Sequence, residues 1–560
     1  MSQLIKEYAI YIPLFILVST FSYSQTEPTG LYLTWQKDPT STMTIDWHTL
    51  PEDHAKPFIY YRQKDRHEWS KEQGNNFDFP NSDRIVNRIE LTGLKANTTY
   101  HFKFDGFERV YQFTTLPENI DSEPLSFAIG GDTYDRGHWA RHIWMERMNR
   151  VVMQYQPKFI VWGGDLAYAD GRPDQSWRWE GWFDAIKNTL IDKDGKVIPI
   201  LPTIGNHEVN KSVHSWGKDY EQINALREKS APFFYSLLAF PGQPGFKTLD
   251  IGNYLSLIIL DTDHTNPING IQEKWLQNSL EDRKEIPHVF PVYHVPAYPS
   301  HNELDNRSSE RVRKYWSPLF DKYNVPWAFE YHDHSYKRTP PIRNGSVHSK
   351  GTVYIGDGGW GTQLKQPKDA HNTWYLDTTI RERHAVLISL YRDQRFLRAV
   401  NESGQIIDEY PNLFYTPPLS NQISSLTPDG GITLSAEIAD RSRGVHIDSD
   451  YKGYTENGFA WFEKELDSTF LTWDIPIEKS GHFILFIRYS QEGSQNSQMK
   501  FIVNDAVINH NLTFTPTKSW ADWEKSSPVR VFLKKGDNTI TLQKMGKNIP
   551  RIDRLEVLPD

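Results

Sequence analysis

The stretch FIVWGGDLAYAD, residues 159–170, sets an aspartate and a tyrosine directly after an apolar run and two glycines. One carboxylate at such a place is ordinarily a turn or capping residue, and it gains meaning only if other runs deliver matching groups. Four others do. LSFAIGGDTYD (125–135) brings Asp132 and Tyr134, VIPILPTIGNHE (197–208) brings Asn206 and His207, HVFPVYHVPAY (288–298) brings His294, and VPWAFEYHDHSYKR (325–338) brings His332 and His334. Each polar group follows an apolar run of strand length, and in open α/β sheets ligands collect beyond the carboxyl ends of the strands. Five such ends predict one shared site. Gly131 and Gly164, ahead of the aspartates, allow the tight turns that bring backbone and carboxylate close together. Imidazole and carboxylate without thiolate suit Zn, Fe or Mn.

Around this set the chain changes character twice. Residues 29–117 alternate as half-buried strands do, in MTIDWHTL, FIYYRQK, RIVNRIELTGL, TYHFKFDG and VYQFTTLP, with no competing helical period. Within them LTGLKANTTYHFKF holds Tyr100 at the spacing of a tyrosine corner, whose phenol bonds back to the backbone at a sandwich edge. The segment resembles a fibronectin type III β-sandwich. LPENIDSEP, polar and closed by proline, sets a boundary near residue 120. Residues 124–412 switch between short apolar runs and helix-like segments such as HWARHIWMERMNRVVMQY and IQEKWLQNSLEDRKE, which predicts an α/β domain. LFYTPPLSNQISSLTPDGG breaks that alternation and reads as a linker over 413–427. From 428 to 560 the pattern returns to strands, in GHFILFIRYS, MKFIVND, VRVFLKKGDNTITLQK and RIDRLEVLP.

Composition narrows the setting. At roughly 150 residues per domain, 560 residues predict three or four domains. The net charge of −9, without a long Lys/Arg run, argues against nucleic acid as a partner and leaves a small anionic ligand open. Aromatics at 14% exceed what cores need and place some rings on binding surfaces. Residues 1–24, MSQLIKEYAIYIPLFILVSTFSYS, read as a cleavable signal peptide rather than a membrane anchor, because the apolar stretch from Ala9 to Val18 falls short of the roughly 20 residues a bilayer needs. No integral membrane segment is expected. The absence of cysteine excludes disulfides and thiolate metal sites, and with export it points to a bacterial periplasm or exterior.

The ordered set GGD at 130, GDLAYAD at 164, GNHE at 205, VYH near 292 and HDH at 332 resembles the calcineurin-like metallophosphoesterases, and more closely the purple acid phosphatases. That resemblance implies a central domain of two mixed sheets flanked by helices. It implies a ferric site from Asp132, Tyr168 and His334, with Asp165 bridging to a divalent Zn, Mn or Fe held by Asn206, His294 and His332. A bridging carboxylate offsets the repulsion of two cations, which at about 3.5 to 4 Å grip both attacking and leaving oxygens. His207 and His301, in YPSHNE, resemble the histidines that contact the ester and protonate its leaving group. Two departures stand out. Tyr331 occupies the place of a family glycine, and Tyr134, two residues after Asp132, competes with Tyr168 for the metal and is a candidate proton carrier. Tyr168 is favoured because GDLAYAD matches over more residues.

The last segment, with AEIADRSRGVHI, GYTENGFAWFE and SWADWEKSSP, resembles a β jelly-roll carbohydrate-binding module of the family 6 and 35 type. Glu437 and Asp553 match positions of a structural calcium in that family, and Tyr454, Trp520, Trp523 and Asn548 are candidate sugar contacts. The whole therefore reads as an exported dinuclear hydrolase of phosphate esters working on oligosaccharides or small molecules. The alternatives are a metal-dependent lyase, dehydratase or sulfate-ester hydrolase acting on acidic oligosaccharides, and a non-catalytic glycan-binding protein.

Overall fold

Alternating apolar residues between positions 29 and 114 build two four-stranded antiparallel sheets. One runs Thr29–Thr34, Met43–Thr49, Ile85–Leu91, Asn75–Asp78, and the other Ser70–Gln73, Phe58–Gln63, Thr99–Phe104, Tyr111–Thr114. The computed structural model describes residues 28–50, 56–135, 142–212, 220–356, 358–411, 425–426 and 431–560 apart from 443, 449, 456, 457 and 478. The expected signal peptide and most of the expected linker lie outside the described residues, although Ser425–Leu426 already pair with Ile432–Ser435. Among the described residues no helix is long and apolar enough to cross a membrane. The tyrosine corner forms as expected, with the Lys95 backbone N–H donating to Tyr100 Oη at 2.8 Å.

The central domain stacks two mixed sheets. In the first, Ile200–Pro202, Ile160–Trp162 and Leu125–Gly130 run parallel, and His384–Tyr391, Gln394–Asn401 and Ile406–Tyr410 continue antiparallel. In the second, Leu255–Ile259, His288–Val292, Trp327–Glu330 and Val353–Gly356 are parallel, with antiparallel strands at both margins. The apolar runs read from the sequence supply the shared core, including Phe127, Phe159, Val161, Phe290, Val292 and Phe329. Buried on both faces, such strands read as continuous apolar runs rather than alternating ones. Helices His142–Gln154 and Ser176–Thr189 cover one outer face with Met145, Met148, Trp179 and Trp182, and helices Ile271–Glu281, Arg307–Tyr315 and Ser317–Lys322 cover the other. Parallel register levels the strand ends, Trp162 pairing with both Gly130 and Pro202 and Glu330 with Gly356. All candidate ligands therefore emerge along one rim.

From Ile432 onward two antiparallel sheets close over a separate core that includes Trp473, Phe501, Leu542 and Leu555. This is the expected C-terminal β jelly roll.

The N-terminal sandwich is joined to the central domain by polar and aromatic contacts. Asp46 Oδ1 takes Arg88 Nε at 2.5 Å, Arg88 Nη2 donates to the Leu237 carbonyl at 3.0 Å, and Tyr32 Oη donates to the same carbonyl. Beside them His48 is fully buried against Tyr32, Phe79 and Phe183, its ring centre 4.6 Å from that of Phe183. Burial first, then Arg84 and Arg88, push this imidazole down to about 3 from its usual 6.5. A histidine with a depressed folded pKa takes its proton only on unfolding. Its contribution is complete above pH 6.5 and shrinks as the pH falls towards 3. Denaturant unfolding of His48→Leu across that range is expected to show a pH slope smaller than wild type by about one proton. Parallel slopes would place the titration elsewhere.

Candidate metal centre

The chain reaches this rim through backbone turns that side chains ordinarily avoid. Asp132, Asp165, Tyr168, His332 and His334 have φ of 55°, 52°, 54°, 82° and 57°. Left-handed backbone at non-glycine residues costs on the order of 1–3 kcal/mol each and persists only where the surroundings over-determine it. Here they do. Asp132 N donates to Gly164 O at 3.0 Å and Thr133 N to Asp165 O at 3.1 Å, tying the two aspartate turns together. The buried Glu208 carboxylate accepts the backbone N–H of Asp165, Leu166 and Gly205, each at 2.8 Å. Gly358, at φ 79°, leaves room for Asp132, since a Cβ there would lie 2.0 Å from Asp132 Oδ2.

Two groups of ligand atoms result, Asp132 with Asp165 and His334, and Asp165 with His294 and His332, each gathered within 4.8 Å. Asp165 belongs to both. Its Oδ1 accepts the His207 N–H at 2.8 Å, while the buried Oδ2 accepts no hydrogen bond and lies 3.1 Å from His294 Nε2. Around the first group, Tyr168 Oη stands 3.1 Å from Asp132 Oδ1 and 3.3 Å from His334 Nε2. Around the second, His294 Nε2 is 3.2 Å from Asn206 Oδ1 and 3.2 Å from His332 Nδ1. The remaining ring nitrogens are oriented by carbonyls, His294 Nδ1 by Gly163 O at 2.8 Å and His334 Nδ1 by Gln363 O at 2.9 Å. Such outer partners set which nitrogen is offered to a metal.

The electrostatics suit cations. Burial alone would lower His294, yet Asp165 beside it raises the imidazole to about 10, and burial with the neighbouring His294 pushes His332 well down. Burial and then Asp165 push Glu208 up to about 7. A buried cluster of oxygen and imidazole donors is the donor set expected of a two-metal site.

A cavity of about 510 Å³ opens over the cluster, lined by Asp165, Asn206, His207, His332 and His334 with Lys211 and Lys365 among its walls. His207 stacks on Tyr168 at 4.3 Å, and its Nδ1 meets Asp170 Oδ1 at 2.5 Å. His301 is exposed and does not line that cavity; its backbone N–H is held by Asp333 at 2.6 Å and its Nδ1 by the Gln366 carbonyl at 2.7 Å. Tyr134 departs from expectation. Its ring packs in the helical core with its hydroxyl over Gly181, where burial pushes it up to about 12. The chain turns left-handed at Asp132, so Tyr134, two residues on, leaves the rim for the helical core. Tyr331 lies beneath the ligands: side chains at Gly131 and Gly163 would come within 2.6 and 1.7 Å of its ring.

In the C-terminal domain Asp553 is fully buried and engaged by Thr455 N at 2.7 Å and by the Arg488 guanidinium, and Glu437 is buried near Gly458. Trp523 Nε1 donates to Lys452 O at 3.0 Å and Trp520 packs 4.2 Å from the Arg551 guanidinium carbon, while Tyr454 is half-buried and Asn548 exposed. Sequence reading overlooked Glu208, Asp170 and Asp333. Their only signal was adjacency, inside GNHE, GDLAYAD and HDH.

Residues 28–115 match the family described as purple acid phosphatase, N-terminal domain, and residues 125–336 match calcineurin-like phosphoesterase. Purple acid phosphatase 21 of Arabidopsis thaliana is 28% identical over 288 residues, covering 50% of this chain and 60% of that protein. Acid phosphatase type 7 of Mus musculus is 25% identical over 304 residues, 50% of this chain and 64% of that protein. The chain thus spans less than two thirds of these relatives. The structure of purple acid phosphatase PPD1 from yellow lupin (Lupinus luteus) seeds shares the fold, with a TM-score of 0.55 at 18% identity over 68% of this chain and 73% of that one.

Glu208→Gln presents an NH2 group to backbone N–H donors. It is expected to cost the metal-free protein about 2 kcal/mol, measured by denaturant unfolding. Unchanged stability would mean that the Asp165 turn holds without this carboxylate.

Proposed function

We propose that the chain is a dinuclear metal-dependent phosphoesterase of the purple acid phosphatase type. The observation that carries this reading is the membership of Asp165 in both ligand groups. Asp132, Tyr168 and His334 would hold iron, and Asn206, His294 and His332 a divalent Zn, Mn or Fe, with Asp165 between them. When bound, the metal pair polarises the ester and makes water acidic. The protein's own groups do the rest. Asp170 fixes a proton on His207 Nδ1 and leaves Nε2 for an ester or leaving-group oxygen. Lys211 and Lys365 add positive charge to the wall that receives an anion. Asp333 steadies the backbone from which His301 would reach the leaving group.

Tyr331, which stands in place of a family glycine, packs under the cluster rather than in the cavity and lends the elimination, dehydration and sulfate-ester readings no support. Export and action on glycan-linked esters remain part of this proposal, resting on the first 24 residues and on the C-terminal jelly roll. There Tyr454, Trp520, Trp523 and Asn548 would meet sugar. Arg488 pairs with Asp553, which with Glu437 would hold the expected structural calcium.

Metal-quantified protein should release phosphate from p-nitrophenyl phosphate and from phosphorylated oligosaccharides. Asp165→Asn should lose both metal and turnover. His207→Ala should lower kcat by roughly a hundredfold with metal content unchanged. Absence of phosphate release, with an oligosaccharide product lighter by one water, would replace hydrolysis with elimination. Trp520→Ala with Trp523→Ala should weaken retention on immobilised acidic glycans while leaving kcat/KM for p-nitrophenyl phosphate unchanged; undiminished retention would exclude these rings.

A further inference from the structure

Behind the ligand loops lies an ion pair sealed from water. Glu330 and Lys337 both have fully buried side chains and pair directly. They bracket the loop carrying His332 and His334: Glu330 ends one strand, Lys337 lies in another, and both stand opposite Gly356 of the strand between them. The second Glu330 oxygen accepts Tyr293 Oη at 2.5 Å and the Ala297 N–H at 2.7 Å, and Lys337 Nζ also donates to the Tyr298 carbonyl at 2.5 Å. Tyr293 immediately precedes His294, while Ala297 and Tyr298 follow it. The pair therefore closes the base of one ligand loop and staples it to the other.

We propose that Glu330 and Lys337 are positioning residues for the metal pair, setting His294 against His332 and His334. The inference rests on the two-metal reading. A buried pair contributes little net stability compared with apolar residues of similar shape, so its place between the two ligand loops points to geometric specification. Removing both charges together avoids a stranded one, so Glu330→Gln/Lys337→Met is the informative variant. Its amide oxygen still accepts from Tyr293 and Ala297.

Zn2+ affinity is measured by chelator competition, Co2+ absorption spectra report coordination geometry, and thermal unfolding of the metal-free form reports the fold. The double variant should unfold close to the wild type, bind at least one metal about tenfold more weakly, and show an altered Co2+ spectrum. A folded double variant with wild-type affinities and spectrum overturns the inference alone. Wild-type protein that binds fewer than two ions overturns the two-metal reading and the inference with it. Should the double variant not fold, Tyr293→Phe, which removes only the phenol link to Glu330, should weaken Zn2+ binding in the same direction; unchanged binding there overturns the inference.

Discussion

One carboxylate, that of Asp165, must face two ligand groups at once, and much of the central domain follows from that demand. Its groups come from the strand ends of two different sheets, so those ends must lie level and the sheets must pack at a fixed spacing. Close-packed aromatic and aliphatic side chains between the sheets supply that spacing, because a protein interior transmits displacement rather than absorbing it. Glu208 then fixes the last turn, holding three backbone N–H groups around the aspartate.

The N-terminal sandwich belongs to the same mechanical system. Arg88 and Tyr32 grip the end of the Pro232–Leu237 helix, and the Asn210 N–H bonds the Ser230 carbonyl at 2.6 Å a few residues before that helix. Lys211 on the cavity wall is thus linked through one short path to the sandwich. These contacts brace the central domain from outside the cavity.

Sequence made the architecture legible because apolar runs, turn residues and the tyrosine corner are local signals. The candidate ligands were legible for a related reason: each follows an apolar run, and all seven fall into or beside the two three-residue groups. Tyr134 was misplaced because its position two residues after Asp132 was its only guide, and the left-handed turn there leads it into the helical core. Glu208, Asp333 and the Glu330–Lys337 pair were missed because a buried charge is recognised by its partner, and those partners lie across the fold. His301, read as an ester-contacting histidine, is exposed and outside the cavity lining, and its tie to Asp333 could not be read from the sequence.

The ring of Tyr331 over the bare backbone of Gly131 and Gly163 has a consequence for substitution. Bulk at one position is admissible only while the other two remain glycine, so the three form a single volume shared among distant sites. Trimming the ring first leaves a void under the cluster, and adding a methyl to either glycine first drives the floor upward. Position 331 and the two glycines are therefore constrained together, and none of the three can be enlarged or trimmed independently of the others.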